Sequence, residues 1–489
     1  MLNRLRRMTI VGGIIFLLIG VVLISGCERK TPGKMTVLIQ GSDAYARWLQ
    51  TKITKFSKSF DWQVTVSTYV QNEDLLDMLN LEQETQSKNI GVIEVPLELS
   101  QQLVRHKKVI PFSRAASEER LARDLRTYNP AMFPLTQKVQ KVSLMPERAD
   151  VFLMVYLKVP VKNLLKEWKL YEREFSFVLQ RYNHWGLPIG YSFEKDPSKW
   201  DFYDLAFMGY YWAAKPYHDA LIPRLGHQGL PTTGTLNALA TRVIESGGTN
   251  KDLQNPLSRP VVDMFQWESL FVKENYYNPE MWENGWSSAN LVNEFLNRRL
   301  FLTFLNQQQL FSLFEKIDSN KTKIPVRTED VGISILPRGC SLMLGPERVP
   351  ETAGSNSSSL YVWSLGIPST FPDAPFAYKL IRFMTSRNLQ AEAMNKFGIL
   401  PTRKGVLAEA DSVLDQSWKR NVFHVLRKQL NAGVIMLPSD SEWTHLGALY
   451  LAAWENICVK SKLSRQNAIK KALKPIFKDV MKSRGGTGQ

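Results

Sequence analysis

The sequence predicts an α/β protein with two lobes, of which the second is rich in helices. The chain has 489 residues, roughly twice what one compact core usually holds. Its first part alternates apolar strand patterns with helical patterns, and its middle part changes to aromatic-rich helical patterns. We therefore expect two cores of different composition, with strands leading in the first and helices in the second.

The first lobe is predicted to contain a parallel sheet covered by helices. Apolar or alternating runs predict strands at 35–39, 62–66 and 90–95. The ranges 45–60 and 74–81 between them have helical patterns. A strand–helix–strand order is typical of parallel sheets, in which ligands lie beyond the carboxyl ends of the strands.

Three polar residues follow these predicted strands and are candidate ligand-binding residues. Ser42 and Asp43 come directly after the first strand, and Glu98 follows the third. A second interpretation stays open at the end of each of these two strands. Asp43 could instead cap the next helix, and Glu98 could mark a solvated helix start.

The remainder of the chain is predicted to be mainly helical. Aromatic-rich helical patterns extend from about residue 164 to 314, and helices dominate from 374 to the end. Strand-like pieces return at 331–337 and 360–367, and we place chain crossings between the lobes near 146–156, 336–340 and 399–403. The N-terminal lobe is accordingly assigned to 35–150 plus 338–400, and the C-terminal lobe to 151–337 plus 401–489.

The N-terminus has the pattern of an export signal. Arg4, Arg6 and Arg7 precede an uncharged apolar run from 8 to 25, and small residues lead to Cys27. The run resembles the lipobox of bacterial lipoproteins, which implies a signal peptide at 1–27, a diacylglycerol on Cys27 and a tether at 28–34.

A plain transmembrane anchor is the alternative interpretation of this apolar segment, although it is barely long enough to span a bilayer. Either interpretation places the bulk of the chain in the cell envelope, facing the periplasm or the cell exterior. Glu28 follows Cys27, and which membrane holds the anchor stays open. Two acyl chains would suffice for stable attachment.

The charge balance and the cysteines leave two questions open. The formal net charge is +16, which could favour an anionic membrane surface or simply reflect a solvated basic surface. No nucleic-acid-binding motif accompanies it. Cys340 and Cys458 could form a disulfide in an oxidising compartment or could be separate buried thiols.

The sequence predicts no enzyme, no metal site and no cofactor. The six His residues lack zinc-site spacing. No G-x-S-x-G elbow and no phosphate-binding loop ending in Lys-Ser or Lys-Thr occurs. A pair of carboxylates that hydrolyses glycosides stays open as a weaker alternative.

Several segments occur in the order found in one known family. The range 363–369 ends a strand in a small-residue loop, 374–386 carries an A-x-x-F/L-I-x-F-L-like helix face, and 398–403 is a G-x-x-P-x-R turn. A proline segment at 433–438 and Trp443 then precede the final helix. This order resembles the extracellular solute-binding proteins of ABC importers that include the maltodextrin binders.

The resemblance implies a two-lobed periplasmic-binding-protein fold with hinge crossovers. It also implies a monomer that captures a small solute, a carbohydrate in the family's case, and delivers it to ABC permease subunits. Trp443 matches the family's C-terminal stacking aromatic, and Trp212 and Trp363 are further candidate ligand-binding residues. Aromatic rings suit the C–H face of a sugar, and core packing is the alternative role of all three.

Two departures from the family pattern motivate a second hypothesis. Tyr361 and Val362 stand where the family often has a glycine pair, and 297–299 reads Asn-Arg-Arg in place of small residues. Glycine permits close backbone approach to a ligand, so bulky replacements could close the pocket. The chain could then be a divergent lipoprotein scaffold or sensor partner that keeps the fold without transporting a solute.

Overall fold

The computed structural model describes residues 33–85, 89–135, 138–214, 224–319 and 323–485. The predicted signal peptide 1–27 with Cys27, and the tether as far as residue 32, lie outside these ranges. Within them, no helix has both the length and the apolar character needed to cross a bilayer.

Ten strands of the described residues form one hydrogen-bonded series. The strands are β1 (Gly33–Ile39), β2 (Trp62–Thr68), β3 (Ile90–Val95), β4 (Leu144–Leu157), β5 (Arg224–Gly226), β6 (Leu300–Asn306), β7 (Val331–Ser334), β8 (Ser358–Gly366), β9 (Leu400–Pro401) and β10 (Val434–Met436). Their order is β2-β1-β3-β8-β4-β6-β5, with β10 beside β8, and β7 and β9 beside β4.

Helices cover the sheets and build most of the second half of the chain. The helices are α1 (Asp43–Ser57), α2 (Asn72–Thr85), α3 (Leu97–Arg105), α4 (Glu118–Leu125), α5 (Lys158–Asn183), α6 (Phe202–Ala214), α7 (Thr233–Glu245), α8 (Asn250–Leu253), α9 (Arg259–Lys273), α10 (Glu280–Glu283), α11 (Ser288–Leu296), α12 (Gln307–Ser319), α13 (Ala374–Met384), α14 (Arg387–Phe397), α15 (Ala410–Val413), α16 (Ser417–Ala432), α17 (Ser441–Trp454) and α18 (Gln466–Gly485). A π-helical segment, Glu455–Lys460, continues α17.

The first sheet is buried on both faces, as its sequence pattern predicts. β1 is parallel to both β2 and β3. Because successive side chains of a strand point to opposite faces, Val37 and Ile39 pack on one side with α1 and α13. Leu38 packs on the other side with α2 and α3. The parallel order predicted for this lobe is confirmed, and β8 adds an antiparallel neighbour to β3.

A second and larger core holds most of the aromatic residues. Trp267 is 1% exposed there, and its indole Nε1 donates to the carbonyl of Cys340 at 2.7 Å. The hydroxyl of Tyr203 donates to the carbonyl of Leu342 at 2.9 Å. The segment 340–344, which the sequence places with the N-terminal lobe, therefore packs in the larger core. Cys340 and Cys458 are both buried free thiols, so they form no disulfide.

Strand β4 joins the two cores. Its first half pairs with β8, and Met145 packs in the core of the first sheet. Its second half pairs with β6 and β7, and the apolar side chains from Ala149 onward pack in the larger core. The chain crosses from one core to the other within this strand, at the place where the sequence predicts a crossover.

Candidate functional site

A groove with a volume of about 520 Å³ lies where β4 passes between the two cores. The first lobe contributes residues that follow β1 and β2, and β4 and β8 contribute residues from within the strands. The second lobe contributes the end of β6 and the faces of α11 and α12. The interlobe groove is lined by Gln40, Gly41, Tyr69, Val70, Arg148, Asp150, Ser288, Ala289, Val292, Asn306, Gln308, Gln309, Ser312 and Trp363.

Arg148 is a fixed cation in the floor of this groove. It is 5% exposed, and its Nε and Nη2 donate to the two oxygens of Glu94 at 2.7 and 3.2 Å. Nη2 also donates to the carbonyl of Gln40. The guanidinium lies 4.0 Å from the ring centroid of Trp363. A buried, fork-like ion pair holds the side chain in one orientation, so Arg148 positions both strand β1 and the indole.

Trp363 presents an aromatic ring to the groove. The ring is half-buried, and its Nε1 donates to Oε1 of Gln40 at 2.9 Å. Its centroid lies 4.4 Å from that of Tyr361. A ring fixed by a hydrogen bond at its edge offers apolar area at little cost in conformational entropy. This is the kind of surface on which the C–H face of a sugar packs.

Asp150 is the carboxylate of the groove and is surrounded by amides. Asn306 Nδ2 donates to Oδ2 at 2.7 Å, and the Nε2 atoms of Gln307 and Gln308 donate to Oδ1 at 2.8 Å each. Burial raises the pKa of Asp150, while Arg148 and the two glutamines act in the opposite direction. Carboxylate and amide groups held in this way are suited to hydrogen-bonding the hydroxyls of a neutral solute.

A second buried carboxyl lies beside Arg148. Glu147 is 4% exposed, and its Oε1 accepts from the Tyr45 hydroxyl at 2.7 Å. Burial raises the pKa of Glu147 well above its usual range, and the neighbouring Glu94 raises it further. Two carboxyls next to one guanidinium exceed its charge, so Glu147 holds a proton in the folded state at pH values at which an exposed glutamate has lost it.

We expect Glu147→Gln to flatten the decline of stability at high pH. The folded pKa is raised, so the folded state binds more protons than the unfolded state. Stability is therefore full below the ordinary carboxyl pKa and falls as pH rises through the folded pKa. At pH values above both pKa values, each unit by which the folded pKa exceeds the unfolded pKa lowers the free energy of unfolding by about 1.4 kcal/mol. Urea unfolding from pH 4 to pH 9 measures this, with the exposed Glu84→Gln as control. Parallel curves for Glu147→Gln and the unsubstituted protein would contradict the expectation.

Ser42 and Asp43 directly follow Gly41, which lines the groove, but neither is among the lining residues. Both are exposed, and Ser42 Oγ accepts from the backbone N of Tyr45 at 3.2 Å as the cap of α1. Asp43 lies in the first turn of the same helix, where a carboxylate is favourable. The structure thus shows the capping arrangement for the serine. Binding of a ligand by either side chain stays a prediction.

Glu98 is engaged within the protein. It is 8% exposed, accepts from Asn72 Nδ2 at 2.6 Å and accepts from the Tyr361 hydroxyl. It therefore ties α2, α3 and β8 together beneath the groove. The bulky Tyr361, which departs from the family pattern, donates this bond and is not among the residues that line the groove.

Trp212 and Trp443 are buried away from the residues that line the groove. Trp212 is 6% exposed and lies edge-on to Tyr211 with centroids 5.3 Å apart. Trp443 is 3% exposed, next to Tyr450 in the larger core. Of the six predicted ligand-binding residues, Trp363 is the one that lines the groove. Ser42 and Asp43 follow the lining residue Gly41 in the chain, and the other three are not in the lining.

Several lining residues were not predicted from the sequence, although some left a signal. Gln40 and Tyr69 directly follow β1 and β2, so the strand-end rule that selected Ser42 also covers them. Arg148 and Asp150 stand with Glu147 in a mainly apolar strand at a predicted crossover. Charged side chains in a buried strand are costly unless they have partners, which marks them as candidates.

Metal binding finds no support in the described ranges. No group of three or more His, Cys, Asp or Glu side chains there is placed to hold an ion. The groove contains aromatic, amide, carboxylate and guanidinium groups. This composition suits reversible binding of a polar molecule.

Solved structures resemble the chain, whereas no family model and no curated protein matches its sequence. A maltose-bound MalE3 of T. maritima has a TM-score of 0.63 and 17% identity, over 92% of this chain and 99% of that chain. An ABC transporter solute-binding protein of Thermotoga lettingae bound to α-D-tagatose has a TM-score of 0.64 and 16% identity, over 92% of this chain and 100% of that chain. The GacH receptor of Streptomyces glaucescens, solved unliganded and with acarbose, has a TM-score of 0.64 and 14% identity, over 91% of this chain and 99% of that chain.

These matches cover nearly the whole of each known protein at low identity, so they establish the fold. The two-lobed α/β architecture predicted from the sequence is thereby confirmed: the chain has the fold of periplasmic sugar-binding proteins.

Proposed function

We propose that this protein captures a carbohydrate in the interlobe groove and delivers it to an ABC-type importer. The observation that carries the proposal is the composition of the groove. The rings of Trp363 and Tyr69 line it together with amide side chains from both lobes and the carboxylate of Asp150. An apolar ring face combined with fixed acceptors and donors matches the two kinds of surface that a sugar presents.

The structural neighbours support this choice of ligand class. The three named above were solved with maltose, α-D-tagatose and acarbose. A fold is shared by proteins of different function, so the residues of the groove must carry the argument for this chain. Those residues fit a neutral polyhydroxylated solute, because Arg148 is already neutralised by Glu94.

The groove favours binding over glycoside hydrolysis. Among the described residues that line it, Asp150 is the one carboxylate. Hydrolysis of a glycosidic bond typically uses two carboxyl groups on either side of that bond. Asp150 also accepts three amide hydrogen bonds, which hold it as a structural acceptor. We therefore include no reaction in the proposed function.

The proposed setting is the cell envelope. The N-terminal pattern supports a membrane tether through a lipidated Cys27, with the two lobes outside the cytoplasm. The partners in this proposal are a sugar and the permease subunits of an importer, and the protein acts as a monomer. Closure of the lobes around the solute would be a hinge motion, for which β4 is one crossing.

A thermal-shift screen with mono- and oligosaccharides tests the proposal. A ligand at 100 times its Kd stabilises the folded state by about 2.7 kcal/mol, so a bound sugar raises Tm. Ser312→Trp, which fills the groove from α12, should abolish the shift. Glu315→Trp, on an exposed part of the same helix, should preserve it. If no sugar raises Tm, the protein is better explained as a scaffold. A shift that survives Ser312→Trp would show that the sugar binds outside the interlobe groove.

A further inference from the structure

A cationic pocket lies on the outer surface of the first lobe. It has a volume of about 550 Å³ and is formed by α4, α13, the start of α14 and the end of α1. Its basic residues are Arg120, Lys379, Arg382, Arg387 and Arg403. Phe56, Phe60 and Phe383 complete one wall, and Asp124 is the one carboxylate among the described residues that line it.

The positive charge of this cationic pocket is only partly neutralised. Arg382 pairs with Asp124 at 2.7 Å, and Arg387 pairs with Glu409. The remaining three basic residues have no carboxylate within ion-pair distance among the described residues. Arg120 and Lys379 are both exposed. An uncompensated cluster of this kind favours an anionic partner.

Arg403 is held in place by neutral groups. Its Nη2 donates to the hydroxyl of Tyr128 at 3.1 Å, its Nε donates to the carbonyl of Thr385, and its guanidinium lies 4.5 Å from the Tyr128 ring centroid. Its full charge therefore adds to that of the pocket. A guanidinium oriented in this way can donate to the oxygens of a phosphate group.

The cationic pocket is separate from the interlobe groove. Helix α1 begins next to the groove at Ser42, and Phe56 lies near its other end. Fourteen residues of helix at 1.5 Å each separate the two positions by about 20 Å. A ligand in one site therefore does not occupy the other.

The chain enters the first lobe beside the cationic pocket. The backbone N of Gly33 donates to the carbonyl of Asp61 at 3.1 Å, and Asp61 directly follows Phe60 of the pocket. Cys27 stands six residues before Gly33. At roughly 3.5 Å per residue, a tether of this length spans at most about 20 Å. An anchor at or before Cys27 would therefore keep the pocket close to the membrane surface.

We propose that the cationic pocket docks the first lobe onto the phosphate groups of anionic lipids in the membrane that holds the tether. The inference rests on the tether in the proposed function, and it adds a surface that the sugar groove does not use. Each basic side chain near an anionic leaflet contributes roughly a fivefold gain in binding. Phe60, 37% exposed beside Lys379, adds apolar area at the same edge.

The test uses the full chain with its native N-terminal segment, reconstituted into vesicles. Ser59→Cys, an exposed position next to Phe60, carries a fluorophore. The lipid blocks the thiol of Cys27 in the lipidated protein that is reconstituted, and the buried Cys340 and Cys458 stay unlabelled. Vesicles contain a lipid with a spin-labelled headgroup, in phosphatidylcholine alone or mixed with phosphatidylglycerol. We expect strong quenching only in the anionic vesicles, and its loss near 1 M salt, where the Debye length is about 3 Å.

Paired charge reversals decide whether the cationic pocket is responsible. Arg120→Glu with Lys379→Glu should weaken docking at least about 25-fold. Lys471→Glu with Lys474→Glu changes the net charge equally on exposed positions of α18 and should leave docking unchanged. Equal quenching in neutral vesicles, or an equal loss with both pairs, would overturn the proposal.

Two further measurements separate the possible sources of the effect. Inorganic phosphate at constant ionic strength should not abolish quenching, and complete competition would show that the pocket takes free phosphate instead. Titration of the same variants with sugar measures binding in the interlobe groove, independently of docking to lipid. Normal sugar binding with no lipid-dependent quenching would overturn the docking and leave the proposed function standing.

Discussion

Replacing Arg148 by methionine should lower the free energy of unfolding by about 3–5 kcal/mol. The substitution removes the guanidinium that neutralises Glu94, whose side chain is fully buried. The carboxylate of Glu94 would then lie unpaired next to Glu147. Breaking a buried ion pair from one side costs more than the pair itself contributes, because a buried charge is left without compensation. Urea unfolding at neutral pH measures the loss.

Two controls separate the buried pair from a general effect of losing an arginine. Arg387→Met removes one partner of an exposed pair, in which the side chains of Arg387 and Glu409 are 50% and 45% exposed, and should cost less than about 1 kcal/mol. The double variant Glu94→Gln with Arg148→Met should be less unstable than the sum of the single variants. A loss for Arg148→Met as small as that for Arg387→Met would show that Arg148 does not hold the groove floor together.

The strands of the first lobe could be predicted closely because their physical signal is local. The predicted strand at 90–95 agrees with β3, and the predictions at 35–39 and 62–66 fall within β1 and β2. Strands buried on both faces are continuous apolar runs bounded by polar turns, and such runs are visible in a single sequence. The pairing of β3 with the antiparallel β8 joins segments some 270 residues apart and leaves no comparable signal.

The site was harder to predict because its contacts join distant parts of the chain. The bond between Trp363 and Gln40 spans 323 positions, and the amides around Asp150 follow it by more than 150. The strand-end rule pointed to the edge of the sheet at which Gln40 and Tyr69 line the groove. However, Ser42 caps α1 and Glu98 bonds to Tyr361, so local and internal hydrogen bonds occupy both side chains.

The sequence around each tryptophan also could not show which of them are exposed for binding. Trp212, Trp363 and Trp443 are all apolar enough for a core or a sugar site, and their sequence surroundings do not differ decisively. Burial separates them in the structure: Trp363 is half-buried beside a cation, whereas the other two are at most 6% exposed. The relevant physical quantity is the exposed ring face, which depends on tertiary packing.

Replacing Trp363 by alanine should weaken binding of the carbohydrate identified in the thermal-shift screen by at least about 30-fold. Truncating a central aromatic residue of a binding site typically costs 2 kcal/mol or more, which corresponds to this factor. The change removes the ring that packs on the sugar, and it also releases Gln40 from its bond to Nε1. Isothermal titration calorimetry measures Kd, and urea unfolding measures stability in parallel.

Two matched substitutions define what the Trp363 ring contributes. Trp363→Phe keeps a smaller aromatic face and loses the N–H that donates to Gln40, so its effect on Kd should be several-fold smaller than that of alanine. Trp185→Ala removes a 44% exposed indole outside the groove and should leave Kd unchanged. A Trp363→Ala protein that folds normally and binds the sugar as tightly as before would show that the solute contacts a different surface. The three substitutions together therefore test whether the half-buried ring, rather than exposed aromatic area in general, supplies the affinity.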